Sequence, residues 1–243
     1  MIFLLDDRYP TLLPDPEQAD KNGMVAVSKT LGTQRIIAAY KKGIFPWMKM
    51  EQEPFYWCWF SPNPRMVLHP SDLNISRSLK KAMTSSKFEI RIDHSFEDTM
   101  RLCASAKRPG QESTWIEDEM IKDYSALHHI GIAHSIEAFI KNEKVGGLYG
   151  LAIGKMFFGE SMFHRVPEAS KVCLAKLINI STEFGIELID CQAHTPHLEK
   201  MGAVEISRTE FSNKLNHLLK VSESIVPWKK LAKSSTLARR PEN

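Results

Sequence analysis

The chain lacks most of the features that identify a site at first reading. Its four cysteines (Cys58, Cys103, Cys173, Cys191) are scattered with no Cys-x-x-Cys pair, which argues against a structural zinc site and a disulfide framework and fits reduced core thiols. No apolar run nears the length that crosses a bilayer. The apolar start Met1–Leu5 meets Asp6 and Asp7 at once and has no basic segment before it, so no signal peptide is expected and a cytoplasmic protein is. Gly154-Lys155-Met156 has neither the spacing nor the Ser/Thr of a Walker loop, and there is no G-x-S-x-G or H-E-x-x-H. His194 and His197 are separated by Pro196, and His128 and His129 sit side by side on an expected helix, so no metal is assigned to either pair.

What is present is ordinary in amount and uneven in distribution. Apolar residues make up 43% and charged residues 25% of 243, enough for one large domain or two modest ones. The net charge is only +3, yet residues 63–110 carry nine Lys/Arg against five acids. Such a stretch suits a polyanion, although a solvated basic face explains it equally simply.

Periodicity and punctuation place the elements. A helix runs from an N-cap at Thr33, with Ile36, Ile37 and Tyr40 on one face, to Gly43. A loop dense in aromatics follows (Phe55, Tyr56, Trp57, Trp59, Phe60), read as a small satellite core, and Ser61-Pro-Asn-Pro-Arg65 breaks regular structure. Ser76 opens a short basic helix, Phe88–Ile92 alternates as a strand, and Ser95 with Asp98 reads as a capping box. Lys107-Arg108-Pro109-Gly110 reads as a loop before a helix from about Ile116 to Ile130. Strands are expected at Ala133–Ile140, Val145–Ile153 and Met156–Phe163, then a helix over Ala169–Phe184, a strand at Glu187–Gln192 and a helix capped by Ser207. The tail after Trp228 reads as basic and loose. The β-β-β-α-β-α order is α+β: a small N-terminal domain over 1–65, then, over 66–243, an antiparallel meander with a crossover helix, the order of GCN5-related acyltransferases. Fold order does not fix chemistry. The R/Q-x-x-G-x-G/A loop that holds acyl-CoA in such folds is missing, which argues against an acyl-CoA donor.

Two segments carry polar groups where apolar ones would pack. Residues 145–163 hold five glycines, an aromatic run and one carboxylate, Glu160. Glycine inside a strand marks a close approach by ligand or backbone, and a lone carboxylate among Phe157, Phe158, Met162 and Phe163 needs a partner. On a regular strand Glu160 shares its face with Phe158 and Met162; either a cationic ligand or nearby Arg165 would answer it. Asp190 and Gln192 share one face of the later strand, a carboxylate and an amide able to orient an amine, or simply to cap a neighbouring loop. Trp115, after the polar run 111–114, is a candidate for stacking on a nucleobase. Ser170 and Lys171 occupy the first turn of a helix, where phosphate is attracted, although Lys171 is equally a surface lysine.

Ordered blocks across most of the chain carry a resemblance. Gly43-Ile-Phe-Pro-Trp47, Trp59-Phe-Ser-Pro-Asn-Pro-Arg65, Ile75-Ser-Arg-Ser78, Thr114-Trp-Ile116, Ala133-His-Ser-Ile-Glu137, Val145-Gly-Gly-Leu-Tyr-Gly150, Gly159-Glu-Ser-Met-Phe163, Ala169-Ser-Lys171 and Leu188-Ile-Asp-Cys-Gln192 resemble the bacterial leucyl/phenylalanyl-tRNA–protein transferases from about Lys21 to Leu219. The resemblance implies transfer of Leu, Phe or Met from aminoacyl-tRNA to a protein's N-terminal Arg or Lys, marking it for degradation, by a cytosolic monomer without cofactor or metal. It implies Asp190 and Gln192 as the catalytic pair, Glu160 reading the acceptor's cationic side chain, Trp47 at the donor pocket and Trp115 stacked on the terminal adenine. Phe157, Leu174 and Leu177 would line the pocket for the Leu or Phe side chain, and Arg77, Lys80 and Lys81 would grip tRNA phosphates. Thr195 stands where better-known members have Asn, and Leu148 where Met is frequent. Other readings are a CoA-dependent acetyltransferase, a leucyl transferase acting on acidic N-termini, and an RNA-binding module without catalysis.

Overall fold

The computed structural model describes residues 2–50, 53–106, 114–220 and 225–237. The loop expected at 107–110 lies outside these residues. In chain order the elements are β1 (Phe3–Leu4), β2 (Met24–Ser28), α1 (Thr33–Lys41), β3 (Phe45–Lys49), β4 (Trp57–Phe60), β5 (Arg65–Leu68), α2 (Arg77–Thr84), β6 (Glu89–Ile92), α3 (Phe96–Ser105), α4 (Asp118–His129), β7 (Ala133–Ile140), β8 (Glu143–Ile153), β9 (Met156–His164), α5 (Ala169–Phe184), β10 (Leu188–Gln192), α6 (Pro196–Lys200), β11 (Val204–Ile206), α7 (Arg208–Leu218) and α8 (Trp228–Leu237).

The fold is α+β, with a four-stranded sheet ordered β1-β2-β4-β3 and a seven-stranded sheet ordered β11-β5-β10-β9-β8-β7-β6. The expected meander is β7–β8–β9, and α5 crosses over to β10, which pairs parallel with β9. The β7–β8 hairpin closes on Lys141 and Asn142, both at positive φ (48° and 66°), the backbone a tight primed turn needs. Gly185, at φ 82°, ends α5 in the left-handed conformation that terminates helices.

Several local expectations change. The aromatic loop is the inner strand β4, whose Trp57 and Trp59 are fully buried in the main core. It does not alternate because both its faces are covered, so the period-2 signal is absent. Gly32, not Thr33, occupies the N-cap of α1. The Ser95 side chain makes no cap bond; instead the N–H groups of His94 and Ser95 donate to buried Glu137 (3.3 and 3.0 Å), while Asp98 pairs with Lys144 at 2.7 Å. The segment after Trp228 is a helix rather than a loose tail as far as Leu237, and it packs on β6. The Ser76 and Ser207 caps are as expected, accepting from Leu79 and Glu210 N–H.

Side chains of the large sheet divide between two apolar clusters. One face meets α1, α3, α4, α7 and the small sheet; the other meets α2, α5 and α8. Alternation along β9 and β10 sends Phe158 and Leu188 to the first cluster and Phe157 and Ile189 to the second.

Candidate active site

β9 and β10 pair only from Leu188↔Met156 to Asp190↔Phe158, after which they part while β9 runs on to His164. Gly159 stands at the parting, where a Cβ would lie 3.5 Å from the Asp190 carbonyl oxygen. Beyond it each strand carries an irregularity. β9 slips register against β8 between Gly150↔Gly159 and Tyr149↔Ser161, leaving Glu160 as the extra residue. β10 slips against β5 between Asp190 and Gln192, and Gln192 takes φ 65°. A bulge bends the strand and re-aims its side chain, and a non-glycine residue in this backbone region is held there by its surroundings.

The two bulges point Glu160 and Gln192 at each other: Gln192 Nε2 donates to Glu160 Oε1 at 2.8 Å. Oε1 also accepts from Tyr40 (2.5 Å), Oε2 accepts from Tyr124 (3.3 Å), and the two tyrosine hydroxyls lie 2.8 Å apart. Burial, with Asp190 nearby, outweighs these donors and pushes the Glu160 carboxyl up to about 8. Arg165, the protein partner expected for Glu160, instead faces Glu143 at 3.6 Å. The same bulge changes the predicted face: Glu160 stays with Phe158 against the first cluster, whereas Met162 packs with the second.

Asp190 is fully buried and held by Arg65, whose Nε and Nη2 donate to Oδ1 (2.8 Å) and Oδ2 (2.6 Å). Arg65 lies between the rings of Phe45 and Phe211 (4.7 and 4.5 Å) and also donates to the Gly43 carbonyl at 3.2 Å. Asp190 Oδ1 in turn accepts the Gln192 backbone N–H at 2.9 Å, fixing the turn that aims Gln192.

The remaining predicted residues fall into separate groups. Phe157, Leu174 and Leu177 share the second cluster with Leu148, Ile189 and partly exposed Met162. Trp47 and Trp115 are half-buried against the first cluster, Trp47 edge-on to Phe60 at 5.2 Å. Arg77, Lys80 and Lys81 are exposed on α2, which touches the start of α5 through Ser78 and Glu168 (3.4 Å). Lys171 is engaged with Glu168 at 3.1 Å. Of the basic stretch 63–110, Arg65 and Arg91 are buried in internal pairs and Arg101 binds Glu97 and Asp118, while Arg77, Lys80 and Lys81 of α2 and Lys87 just after it are exposed; Lys107 and Arg108 lie outside the described residues. Thr195 caps α6, its hydroxyl accepting from Leu198 N–H at 3.2 Å.

Sequence reasoning missed Tyr40, Tyr124 and Arg65. Both tyrosines lie on apolar helix stripes, where the ring accounts for the position and the hydroxyl goes unnoticed. A hydroxyl on the buried stripe of two different helices was the available signal, since buried Tyr oxygens take partners. Arg65 was counted with the basic surface, although Met66, Val67 and Leu68 directly after it mark an inward strand. Elsewhere, Asp93, His128 and His134 come together, but His134 already contacts Asp93 (2.8 Å) and Gly131 O (3.1 Å), and His128 Nδ1 contacts Ala133 O (2.8 Å).

A family model described as leucyl/phenylalanyl-tRNA protein transferase matches residues 67–216, and that of its N-terminal domain matches 30–63. The chain is 45% identical over 219 residues to the leucyl/phenylalanyl-tRNA–protein transferase of Myxococcus xanthus, spanning 90% of this chain and 92% of that one. It is 49% identical over 210 residues to the enzyme of that name from Nitrosomonas europaea, spanning 86% and 87%. It is 47% identical over 207 residues to that from Nitrosospira multiformis, spanning 85% and 88%. The larger matched region contains both bulged strands, and with it the chain belongs to the leucyl/phenylalanyl-tRNA–protein transferase family of aminoacyltransferases.

Proposed function

We propose that this protein transfers Leu, Phe or Met from aminoacyl-tRNA to the N-terminal Arg or Lys of acceptor proteins, and that the acceptor amine is received at Glu160 and Gln192. The observation that carries this reading is the pair itself: a carboxyl group and an amide joined at 2.8 Å where two strands separate. Relatives named for leucyl/phenylalanyl-tRNA and protein as substrates support the two reactants.

The chemistry is aminolysis of an ester. The α-amino nitrogen attacks the aminoacyl carbonyl, the C–O bond to the ribose breaks, and the proton shed by nitrogen ends on the ribose hydroxyl. A free α-amino group has a pKa of about 7.7–8.0, so roughly a tenth is neutral at pH 7. Holding both reactants in line supplies most of the acceleration. Glu160, poised at about 8, matches the acceptor ammonium and can exchange a proton with it at little cost. A cationic Arg or Lys side chain nearby would favour the ionised carboxylate, which ties acceptor choice to the same group. Gln192 would accept an N–H of the amine through its amide oxygen. Asp190, saturated by Arg65 and Gln192 N–H, suits an orienting role.

On this reading Phe157, Leu174 and Leu177 receive the donor side chain, Trp47 borders it, Trp115 stacks on the terminal adenine, and Arg77, Lys80 and Lys81 meet acceptor-stem phosphates. The protein acts as a cytoplasmic monomer, and its products enter N-terminal-residue-dependent degradation. The experiment supplies radiolabelled Leu-tRNA with peptides headed by Arg, Lys, Asp or Ala to the native protein and to Gln192→Ala. Label on Arg and Lys peptides alone, strongly reduced in the variant, is the expected result. Label on Asp peptides, or tRNA binding without transfer, overturns the assignment.

A further inference from the structure

We infer that Trp228, on the C-terminal helix, sets the depth of the donor side-chain pocket by backing the Phe157 ring, and is thereby a specificity-determining positioning residue. The inference rests on the reading of Phe157, Leu174 and Leu177 as pocket wall. The family match ends at residue 216, so Trp228 lies outside it.

The Phe157 ring is held from two sides. Beneath it is Gly150 on β8, where a Cβ would come within 2.6 and 2.8 Å of two ring carbons. Any side chain there would evict the ring from its place. Beside it is Trp228, with ring centroids 6.1 Å apart and planes inclined by 43°. Direction follows from the sheet order. β10 and the parting of the strands lie on one side of β9, and β8, β7 and β6 on the other. Trp228 arrives from the β6–β7 side, since α8 packs on β6 and the indole stacks on His134 of β7 at 4.3 Å and 12°. Phe157 therefore stands between the indole and the opening, and its freedom to retreat from an incoming side chain is limited by Trp228.

The indole is itself firmly placed. It is 3% exposed, His134 beneath it is tied to Asp93 at 2.8 Å, and Ser235 farther along α8 accepts the Ile92 N–H of edge strand β6 at 3.1 Å. A side chain that only sealed the core would be replaceable by another apolar one without changing substrate choice. One that limits Phe157 would not be, because the added room appears in the pocket.

The test compares kcat/KM for Leu-tRNA and Phe-tRNA, with an Arg-headed peptide, in the native protein, Trp228→Leu, Trp228→Phe and Phe157→Leu. The Phe:Leu ratio is the readout, because a loss of folded enzyme lowers both rates alike. Trp228→Leu is expected to raise the ratio about tenfold, the scale on which one or two buried carbons discriminate. Trp228→Phe should raise it less, and Phe157→Leu should raise it at least as much as Trp228→Leu. If Trp228→Leu does not fold, the ratio in Trp228→Phe decides. A shifted ratio in Phe157→Leu with native ratios in both Trp228 variants overturns the inference and leaves the pocket standing. Native ratios in all three variants overturn the pocket reading as well.

Discussion

Gln192 donates its side-chain amide to Glu160 across 2.8 Å although each lies two residues beyond the last pair that joins their strands. The contact spans the gap that strand pairing leaves, so it positions polar groups where the sheet has opened. Both residues are buried, at 8% exposure each, which makes their protonation and their partners matters of stability as well as chemistry.

Glu160 makes stability depend on pH with a definite sign. Its carboxyl titrates near 4.5 when unfolded and is raised to about 8 when folded, so the folded state binds the extra proton. Stability is full below about 4.5, declines as pH rises through that window and levels off above about 8. Urea unfolding at pH 5 and pH 8.5 should show a decline of a few kcal/mol in the native protein and a smaller one in Glu160→Gln. Equal declines in the two proteins would show that Glu160 is not the titrating group.

Arg65 and Asp190 should behave as a buried pair. Arg65→Ala leaves an unpaired carboxylate in the core and is expected to cost about 3–5 kcal/mol in denaturant unfolding. The double variant Arg65→Met/Asp190→Leu should recover much of that stability while losing transfer activity, because the Gln192 N–H anchor is gone. An Arg65→Ala protein as stable as the native one contradicts the buried-pair assignment.

Gln192→Ala separates chemistry from folding. With one side-chain bond to Glu160 removed at the opening, the melting temperature should fall by only a few degrees. The transfer rate should drop by about ten- to a hundredfold if the amide positions the amine. A rate within twofold of native removes Gln192 from the reaction.

The α2 cations predict a salt signature. tRNA binding should weaken steeply as salt rises, and changing Arg77, Lys80 and Lys81 together to Ala should reduce the slope of log K against log salt by about 2–3. The loss should be similar for Leu-tRNA and Phe-tRNA, since phosphate contacts carry no sequence information. An unchanged slope moves the footprint elsewhere.

Much of the architecture was legible because it is local. The antiparallel pairing of the strands expected at 133–140 and 145–153, the α5 span, and the Ser76 and Ser207 caps each follow from a few adjacent residues, although the connection proved to be the two-residue turn Lys141-Asn142 rather than the whole of 141–144. Strand β4 was not legible, because Trp57-Cys-Trp-Phe60 is buried on every side and shows no alternation. Glu160 was found as an anomaly among aromatics, yet its partners were not, because Tyr40 and Tyr124 lie 120 and 36 residues away and read as plain core.

The sequence by itself determined the family, the meander with its crossover, and the presence of Glu160, Asp190 and Gln192 as polar groups in apolar strands. These depend on composition and spacing along the chain, which sequence states directly. Only the tertiary structure decided that two bulges turn Glu160 and Gln192 together, that Arg65 occupies Asp190, and that Trp228 backs Phe157. Each of those contacts joins separate elements, and its energy comes from excluding water between surfaces that no local pattern specifies.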